Sequence, residues 1–415
     1  MKPRSRGLCV TTITGTAILA LFASNANMAA AQKKPLKVFI LAGQSNMEGH
    51  AKASTFDAME WDPLTAPLLK EMRSPKAYDK VWISYLYGDG GGNPGGEKHG
   101  KLAVGYGAQN APAKIGPEFT FGIAMQKLTN EPVLIIKTAW GGKSLNTDFR
   151  PPSAGPYEMN QFQLDRYAKQ GKDVEKMKSE RAAASGRFYR LMTDYVKKVL
   201  ADIKRVYPNY DANQGYELAG FAWFQGWNDL VDGDAYPDHE KPGGFDSYSM
   251  LLSQFIRDVR KDLAAHTLPF VIGVMGVSGA QPTPNKMTYF REAMAAPAHL
   301  PEFKGNVVNV LTEKFWDPRL EELVTRSFKV DRKRDELEKD TSLTAELRAE
   351  AVERFRAEIF TPQEVKLLRG ASNREYHYLG AAKILGPIGK ALAEALVDLK
   401  KHRGAAGGVL PSINY

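Results

Sequence analysis

The stretch KVFILAGQSNMEGHA, residues 37–51, decides the fold class because it joins two unlike patterns. Its first five residues are mostly apolar, β-branched or aromatic, which predicts a buried strand at residues 37–41. Gly43-Gln44-Ser45-Asn46 follows, so a serine stands at the carboxyl end of this strand. Glycine permits a tight turn there. Such a serine can present its hydroxyl as a nucleophile, or it can cap the next helix or turn.

Further apolar runs recur along the chain, with amphipathic helical patterns between them. The predicted strands are residues 37–41, 81–86, 132–137, 218–224, 269–274 and 306–311. The predicted helices are residues 118–128, 187–207, 248–264, 287–295 and 381–399. Apolar strands that alternate with amphipathic helices indicate βαβ units. The sequence therefore predicts an α/β fold in which helices cover both faces of a central parallel sheet.

Two stretches interrupt this alternation. Residues 89–116 are rich in glycine and proline, which predicts a long surface loop. Residues 330–358 are dense in charge and poor in large apolar side chains. They predict a solvent-facing helical hairpin, inserted into the domain at about residues 318–370. We therefore expect one domain over residues 36–400 and a loose tail at residues 401–415.

Residues 1–31 have the pattern of a secretory signal peptide. Basic residues precede an apolar stretch at residues 14–23, and Ala29-Ala30-Ala31 offers a small-residue cleavage site. The apolar stretch is far shorter than the roughly 20 residues of a membrane-spanning helix, which disfavours an N-terminal anchor. We expect cleavage after Ala31 and a protein that is secreted or periplasmic, without membrane contact after cleavage.

Charge and cysteine content exclude several classes of function. The 56 Lys and Arg residues exceed the 47 Asp and Glu residues, which gives a formal charge of +9. This excess is spread along the helices and forms no basic patch or arm, so it disfavours nucleic-acid binding. The only cysteine, Cys9, lies in the predicted signal peptide. The mature chain therefore has no cysteine for a disulfide, a thiol nucleophile or a cysteine zinc site.

Polar clusters after the predicted strands are the places to search for a site. Ligands of an open parallel sheet bind beyond the carboxyl ends of its strands. The segment TAWGGKS follows the strand at residues 132–137. Its glycines, Gly141 and Gly142, allow a backbone N–H to approach a reacting oxygen closely. A glycine pair after a strand is also common in ordinary turns.

Two further clusters carry amides, a carboxylate and a histidine. The segment WFQGWND ends the strand at residues 218–224. There the amides of Gln225 and Asn228 can donate hydrogen bonds and the Asp229 carboxylate can orient a base, unless all three serve only a buried turn. The segment NREYHYLG precedes the final helix and contains His377. A histidine between the last strand and a closing helix can act as a general base, although a packed surface histidine is the common case.

Together, AGQSNMEG, KTAWGGKSL, WFQGWND and YHYLG resemble the ordered blocks of the SGNH hydrolases. More narrowly, they are similar to the sialate O-acetylesterase-type domain, which is related to carbohydrate esterase family six. The resemblance extends over about residues 37–399. It implies a flavodoxin-like, three-layer α/β/α fold and ester hydrolysis through an acyl-enzyme, without a metal or other cofactor. The implied substrate is an acetylated oligo- or polysaccharide.

The resemblance also implies a role for each matching residue. Ser45 would be the nucleophile and His377 its general base, which later protonates the leaving sugar hydroxyl. Backbone N–H groups and a side-chain amide would hold the oxyanion. The candidate donors are Ser45, Gly141, Gly142, Asn228 and Gln225. The candidate substrate contacts are Gln44, Trp140 and Trp227. The two tryptophans would stack on a sugar ring, or else belong to the core.

The acid of the triad is where the chain departs from the family pattern. Arg374 stands where SGNH enzymes carry an aspartate, and Trp227 stands where the carbohydrate esterases carry a glutamate. The remaining possibilities are Asp229, which we prefer, Glu375, or a Ser-His dyad without an acid. The expected function is a secreted carbohydrate O-acetylesterase. The alternatives are an SGNH esterase of other acyl groups and a catalytically silent carbohydrate-binding protein.

Overall fold

A seven-stranded, mostly parallel sheet is the framework of the protein. The computed structural model describes Met1, residues 34–90 and residues 93–404. Within it, the part of the chain from Pro35 onward forms one unit. Apart from Met1, the predicted signal peptide lies outside the described residues, as do residues 405–415 of the predicted tail. The strands are β1 (Leu36–Gly43), β2 (Ala51–Lys52), β3 (Val81–Gly88), β4 (Pro94–Lys101), β5 (Lys114–Ile115), β6 (Val133–Ala139), β7 (Tyr216–Phe224), β8 (Phe270–Val274) and β9 (Val307–Leu311).

The main sheet has the strand order β4-β3-β6-β1-β7-β8-β9. All neighbours in it are parallel except β3 and β4. Strands β2 and β5 form a separate antiparallel pair. The central strands β1 and β6 are buried along almost their whole length, as expected for parallel strands that are covered on both faces. The prediction of an α/β fold around a central, mostly parallel sheet is confirmed.

Fourteen α-helices surround the sheet in the described part of the chain. They are α1 (Ser45–Glu48), α2 (Asp57–Glu60), α3 (Ala66–Met72), α4 (Pro117–Thr129), α5 (Gln161–Lys169), α6 (Val174–Ala184), α7 (Arg187–Ala201), α8 (Trp227–Leu230), α9 (Asp246–Asp262), α10 (Lys286–Ala295), α11 (Pro318–Glu338), α12 (Ala345–Ile359), α13 (Pro362–Leu368) and α14 (Ala382–Gly404). The five predicted helices correspond to α4, α7, α9, α10 and α14. None of the described helices combines the length and apolar character needed to cross a membrane.

Helices lie on both faces of the sheet and so complete three layers. On one face, the ring of Phe39 in β1 meets that of Phe121 in α4, with centroids 5.5 Å apart. Phe39 pairs with Gly220 of β7, and the next residue of β7 is Phe221. Successive side chains of a strand point to opposite faces. Phe221 therefore reaches the other layer, where its ring lies 6.0 Å from that of Phe255 in α9.

The region predicted as a long loop at residues 89–116 contains the strands β4 and β5, so that prediction is wrong in part. Strand β4 pairs antiparallel with β3, from Trp82 opposite Lys101 to Gly88 opposite Pro94. Glycine and proline are rare in strands, which is why the composition concealed it. The pairing supplies hydrogen-bond partners to the backbone of β3, whose outer edge would otherwise be open.

The charged insertion is a helical hairpin of α11 and α12 followed by the short helix α13. It has a small apolar cluster of its own, formed by Leu323, Val330, Val352 and Phe360. The final helix α14 continues to Gly404, so the first residues of the predicted tail are helical. A turn at residues 339–344 joins the two helices of the hairpin.

Candidate active site

Three of the predicted polar clusters meet at one edge of the sheet, because β6, β1 and β7 are parallel neighbours. Gly43 at the end of β1 pairs with Ala139 at the end of β6 and with Phe224 at the end of β7. The segments that follow these residues therefore leave the sheet side by side. This is the position at which parallel sheets bind their ligands.

Ser45 is the first residue of the single helical turn α1, directly after the central strand. The chain can enter this turn because Gly43 has no side chain. A Cβ at Gly43 would lie 2.1 Å from the Phe224 carbonyl oxygen. Ser45 is 6% exposed, so its hydroxyl is largely enclosed by protein. The backbone N–H of a first helical residue has no acceptor within its helix, which leaves this donor beside the Ser45 hydroxyl.

The Gln44 side chain ties the end of β1 to the loop after β7. Its Oε1 accepts hydrogen bonds from the backbone N–H groups of Gly226 and Asn228, at 3.0 and 3.3 Å. Its Nε2 donates to Asn228 Oδ1 at 3.0 Å and lies 3.4 Å from Ser45 Oγ. Gln44 is completely buried. Its predicted role as a substrate contact is therefore corrected: it positions Asn228, whose Nδ2 makes no hydrogen bond within the described residues.

A pocket of about 470 Å³ opens at this edge of the sheet. Ser45, Gly141, Gly142 and His377 line it together. Its other lining residues are Glu48, His50, Gly88, Asp89, Gly90, Ala108, Gln109, Asn110 and Lys143. A larger pocket of about 820 Å³ lies by α3, α4 and α14, and none of the predicted site residues lines it. The smaller pocket thus unites the serine, the glycine pair and the histidine.

His377 lies in the 3₁₀ segment Glu375–Gly380, just before α14. Its Nδ1 is 3.1 Å from Asn373 Oδ1. Because an amide oxygen only accepts hydrogen bonds, Nδ1 carries the proton and Nε2 is the basic nitrogen. Burial lowers the pKa of His377 to about 4, so the ring is neutral at pH 7. Glu375 makes no hydrogen bond to His377 in the part of the chain that the structure describes. Asn373, and not Glu375, is therefore the hydrogen-bond partner of His377 Nδ1 in that part of the chain.

The backbone after His377 takes a course that few residues adopt. Tyr378 and Leu379 have φ values of 53° and 58°, in the left-handed region that is costly for residues with a side chain. The Tyr378 hydroxyl holds the turn in place. It accepts a hydrogen bond from Gly276 N–H at 2.8 Å and lies 2.7 Å from Thr312 Oγ1. These two residues follow β8 and β9, so the ends of two strands fix the position of His377.

Two side chains that the sequence analysis did not select also line the pocket. Burial raises the pKa of the Glu48 carboxyl group to about 7, and a hydrogen bond from the Gly141 N–H acts in the opposite direction. The His50 ring stacks on the His377 ring, with centroids 3.9 Å apart and planes 2° apart. Burial, followed by repulsion from His377, lowers the pKa of His50 to about 3. The available signal was the position of both residues directly after the GQSN motif.

A buried ion pair supports α1 from within the core. Lys137 Nζ lies 2.7 Å from Glu118 Oε2, and both side chains are completely buried. The same ammonium donates to the carbonyl oxygens of Glu48 at 2.8 Å and Tyr106 at 2.7 Å. Burial lowers the pKa of Lys137 and raises that of Glu118, and each charge opposes the shift of the other. A cation at the C-terminal end of α1 stabilises the turn that begins with Ser45.

The structure corrects the assignment of Asp229 as the acid that orients His377. The Asp229 carboxylate is completely buried. Its Oδ2 accepts from Leu145 N–H at 2.8 Å and from Gln225 Nε2 at 2.6 Å. Its Oδ1 accepts from Asn146 N–H at 3.0 Å and from the Tyr236 hydroxyl at 2.8 Å. With four donors around it, the carboxylate holds the loop after β6 in place and makes no hydrogen bond to His377 among the described residues.

Gln225 is not free to bind an oxyanion either. Its Nε2 lies within hydrogen-bonding distance of three acceptors: Asp229 Oδ2 at 2.6 Å, Lys143 O at 3.0 Å and Gln44 Oε1 at 3.2 Å. Its Oε1 accepts from the Tyr248 hydroxyl at 3.1 Å. The residue is 2% exposed. The prediction of Gln225 as an oxyanion donor is therefore wrong, because internal acceptors already use its amide hydrogens.

The two candidate tryptophans differ. Trp140 is completely buried and packs against Phe188 and Phe149, with ring centroids 5.0 and 5.9 Å apart. It belongs to the core, and its prediction as a substrate contact is wrong. Trp227 is partly exposed, and its ring lies 5.8 Å from that of Tyr376, the residue before His377. Trp227 therefore remains a candidate for stacking on a sugar.

The pocket side chains do not form a metal centre. In the described residues, no group of three or more His, Cys, Asp or Glu side chains could hold a metal ion. The His50 and His377 rings stack face to face, so their nitrogens do not converge on one point. The site is a serine, a histidine and an array of hydrogen-bond donors.

This constellation agrees with the comparison to protein families. The family model described as carbohydrate esterase, sialic acid-specific acetylesterase matches residues 35–313, which is more than half of the chain. The chain belongs to this family of carbohydrate esterases. The family resemblance inferred from the motifs is thereby confirmed. The match includes Ser45, the glycine pair and Asn228, and it ends before His377.

Two solved structures are also similar to this esterase family member. One is a carbohydrate acetylesterase from Xanthomonas citri, with 14% identity and a TM-score of 0.39. The similarity covers 68% of this chain and 50% of that protein, so this chain spans about half its length. The other is a protein from Arabidopsis thaliana, with 17% identity, a TM-score of 0.35, and coverage of 67% of this chain and 86% of that one. The search of curated proteins gives no match.

Proposed function

We propose that this protein removes O-acetyl groups from oligo- or polysaccharides through an acyl-enzyme on Ser45. The observation that carries the proposal is the pocket shared by Ser45 and His377, in which Asn373 holds His377 Nδ1. A histidine whose proton is fixed on Nδ1 presents Nε2 as a base, which is how serine hydrolases activate their nucleophile. Binding of a carbohydrate alone would need no base beside a serine hydroxyl.

The proposed reaction has two half-reactions. Ser45 Oγ attacks the ester carbonyl carbon while His377 Nε2 takes its proton, and the same nitrogen then protonates the leaving sugar oxygen. A water molecule next attacks the acetyl-enzyme, with His377 again as the base, and acetate and the free serine are released. Asn373 orients the ring without adding a negative charge. The low pKa of His377, about 4, keeps this base neutral in weakly acidic solution.

Three donors are placed to hold the oxyanion of the tetrahedral intermediates. They are the Ser45 N–H, the Gly142 N–H and Asn228 Nδ2. Gly142 lines the pocket, and Gln44 fixes the Asn228 side chain. The Gly141 N–H is already hydrogen-bonded to the Glu48 carboxyl group, so it is less suited to this role. One such donor lowers the barrier by about 3 kcal/mol, so Asn228→Ala should lower kcat roughly 100- to 1000-fold.

The lining of the pocket favours a short acyl group on a polar substrate. Apart from Ala108, the described lining residues are glycine, polar or charged. A long acyl chain would find no large apolar side chain there, whereas sugar hydroxyls would find hydrogen-bond partners in Gln109, Asn110 and Lys143. This supports acetyl esters of carbohydrates over the esters of longer acids.

The test is hydrolysis of 4-nitrophenyl acetate and release of acetate from acetylated xylan by the purified protein. We expect turnover that is lost in Ser45→Ala and His377→Gln. The exposed residues Ser179 and His99 supply matched controls, and Ser179→Ala and His99→Gln should keep the parent rate. The rate should fall from the acetate to the butyrate and octanoate esters, and it should persist in EDTA. Turnover that persists in Ser45→Ala would contradict the proposal.

The proposal extends to location. The basic residues, the apolar stretch and the alanine cleavage site of residues 1–31 support export and removal of a signal peptide. Export would bring the enzyme to polysaccharides, which are too large to enter a cell freely. The enzyme would then act as a secreted or periplasmic protein.

A further inference from the structure

Two imidazole rings lie in van der Waals contact in the pocket, and the reaction proposed above uses only one of them. The centroids of the His50 and His377 rings are 3.9 Å apart and the ring planes differ by 2°, so the two faces overlap. His50 Nε2 lies 3.9 Å from Glu48 Oε2, and both residues line the same pocket as Ser45. His50 is thus placed between a carboxyl group and the proposed base.

The backbone holds the two histidines in this arrangement. The Ser372 hydroxyl lies 3.2 Å from the His50 carbonyl oxygen and accepts a hydrogen bond from Lys52 N–H at 3.2 Å. Ser372 is the neighbour of Asn373, which binds His377 Nδ1 at 3.1 Å. The segment that carries His50 and the segment that orients His377 are therefore joined directly. The stacking is a built contact and not a chance approach of two mobile side chains.

We propose that His50 is a positioning residue for the base. Its ring covers one face of the His377 imidazole, keeps water from that face and, together with Asn373, holds Nε2 in its reactive direction. This inference rests on the proposed esterase reaction, because it assigns His50 a part in the same site. It also explains how a base without a triad carboxylate can be held in one orientation.

The contact has a consequence for protonation. Two positive rings 3.9 Å apart would repel each other strongly in this enclosed site, so at most one of the two rings is positively charged in the folded protein. Glu48, Lys114 and Lys137 are the charged groups near His50, and Tyr376 lies beside His377. Asp89 and Lys143 line the same pocket. Burial lowers the pKa of both histidines. The cover that His50 provides should therefore extend activity toward acidic pH.

The test compares the parent with His50→Ala, which uncovers the ring, and with His50→Phe, which keeps an aromatic cover but cannot titrate. We would measure kcat/KM for 4-nitrophenyl acetate from pH 3.5 to pH 8. In His50→Ala, water reaches His377, and the half-maximal pH of the acid limb should rise by about one to two units. This would lower kcat/KM at pH 5 about two- to tenfold relative to its value at pH 8. In His50→Phe, the half-maximal pH of the acid limb should stay near that of the parent.

A second readout does not depend on turnover. In the Ser45→Ala protein, an NMR titration of the His377 Cε1 resonance reports the pKa of His377. This pKa should rise by the same one to two units when His50→Ala is added, and it should hardly change with His50→Phe. If His50→Ala fails to fold, His50→Asn replaces it. A parent without Ser45-dependent turnover would overturn the proposed function and leave the NMR titration to decide on His50. The role of His50 would be overturned if a folded His50→Ala protein kept both the parental acid limb of kcat/KM and the parental pKa of His377.

Discussion

Replacing Asp229 with asparagine tests whether this residue holds the loop after β6 or orients His377 as an acid. The carboxylate accepts four hydrogen bonds, two from the backbone N–H groups of Leu145 and Asn146 and two from the side chains of Gln225 and Tyr236. In Asp229→Asn, one oxygen becomes an NH2 group that faces two of these donors. A buried donor left without an acceptor costs about 1–3 kcal/mol. The side-chain donors of Gln225 and Tyr236 can turn away from the new NH2 group, which reduces the cost of two unpaired donors. We therefore expect a loss of about 3 kcal/mol in the free energy of unfolding.

The assay is urea denaturation followed by circular dichroism, with kcat/KM for 4-nitrophenyl acetate measured on the same samples. Below the unfolding transition, kcat/KM should fall only moderately, since Asp229 supports the loop that carries the glycine pair and does not touch His377. The matched control is Asp232→Asn, because Asp232 is partly exposed and caps only the Ala235 N–H. It should lose no more than about 1 kcal/mol. An Asp229→Asn protein of parental stability with a thousandfold lower kcat would refute this reasoning and restore Asp229 to the triad.

Three further predictions concern charge and processing. In Asn373→Asp, the new carboxylate beside His377 Nδ1 should raise the pKa of the base by about 1–3 units from its value of about 4, so the acid limb of kcat/KM moves to higher pH. The pKa of Glu48 is raised from 4.5 to about 7 in the folded protein, so Glu48 should lower stability as pH rises from about 4.5 through 7, by roughly 3 kcal/mol. The readout is the difference in urea midpoint between the parent and Glu48→Gln at pH 5 and pH 8, because His50, His377 and Asp229 titrate in both proteins and cancel in that difference. The parent should lose stability relative to Glu48→Gln between the two pH values, and a difference that does not change with pH would contradict this. Mass spectrometry of the exported protein should find Gln32 at the N-terminus, and an N-terminus at Met1 would contradict cleavage after Ala31.

The strands could be predicted where burial dictates composition. Strands β1 and β6 are covered on both faces, so nearly every residue in them is apolar and the sequence shows an unbroken run. Strand β4 lies at the edge of the sheet and has the sequence PGGEKHGK, which carries no such run. Its pairing depends on the backbone of β3 and not on its own side chains. A strand of this kind cannot be predicted from its own sequence and is recognised only from its pairing in the structure.

The site shows the same division between local and distant causes. Ser45 and the glycine pair belong to local motifs, so the chain itself reveals them. The error over Asp229 arose because its backbone donors, Leu145 and Asn146, lie 84 and 83 residues away in sequence. A sequence does not record that a carboxylate is already saturated by such remote donors. Asn373 was missed because the search was for an acid, whereas orienting a ring requires only an acceptor at the right distance.

The Tyr378 hydroxyl, hydrogen-bonded at the ends of β8 and β9, makes the aim of the base adjustable from outside the pocket. Thr312 does not line the pocket, so Thr312→Val would leave every lining side chain intact and still remove one hydrogen-bond partner of the Tyr378 hydroxyl, next to His377. Reactivity could therefore drift between related enzymes while their pockets look identical. For an engineer, Thr312 is a position outside the pocket at which to change the rate.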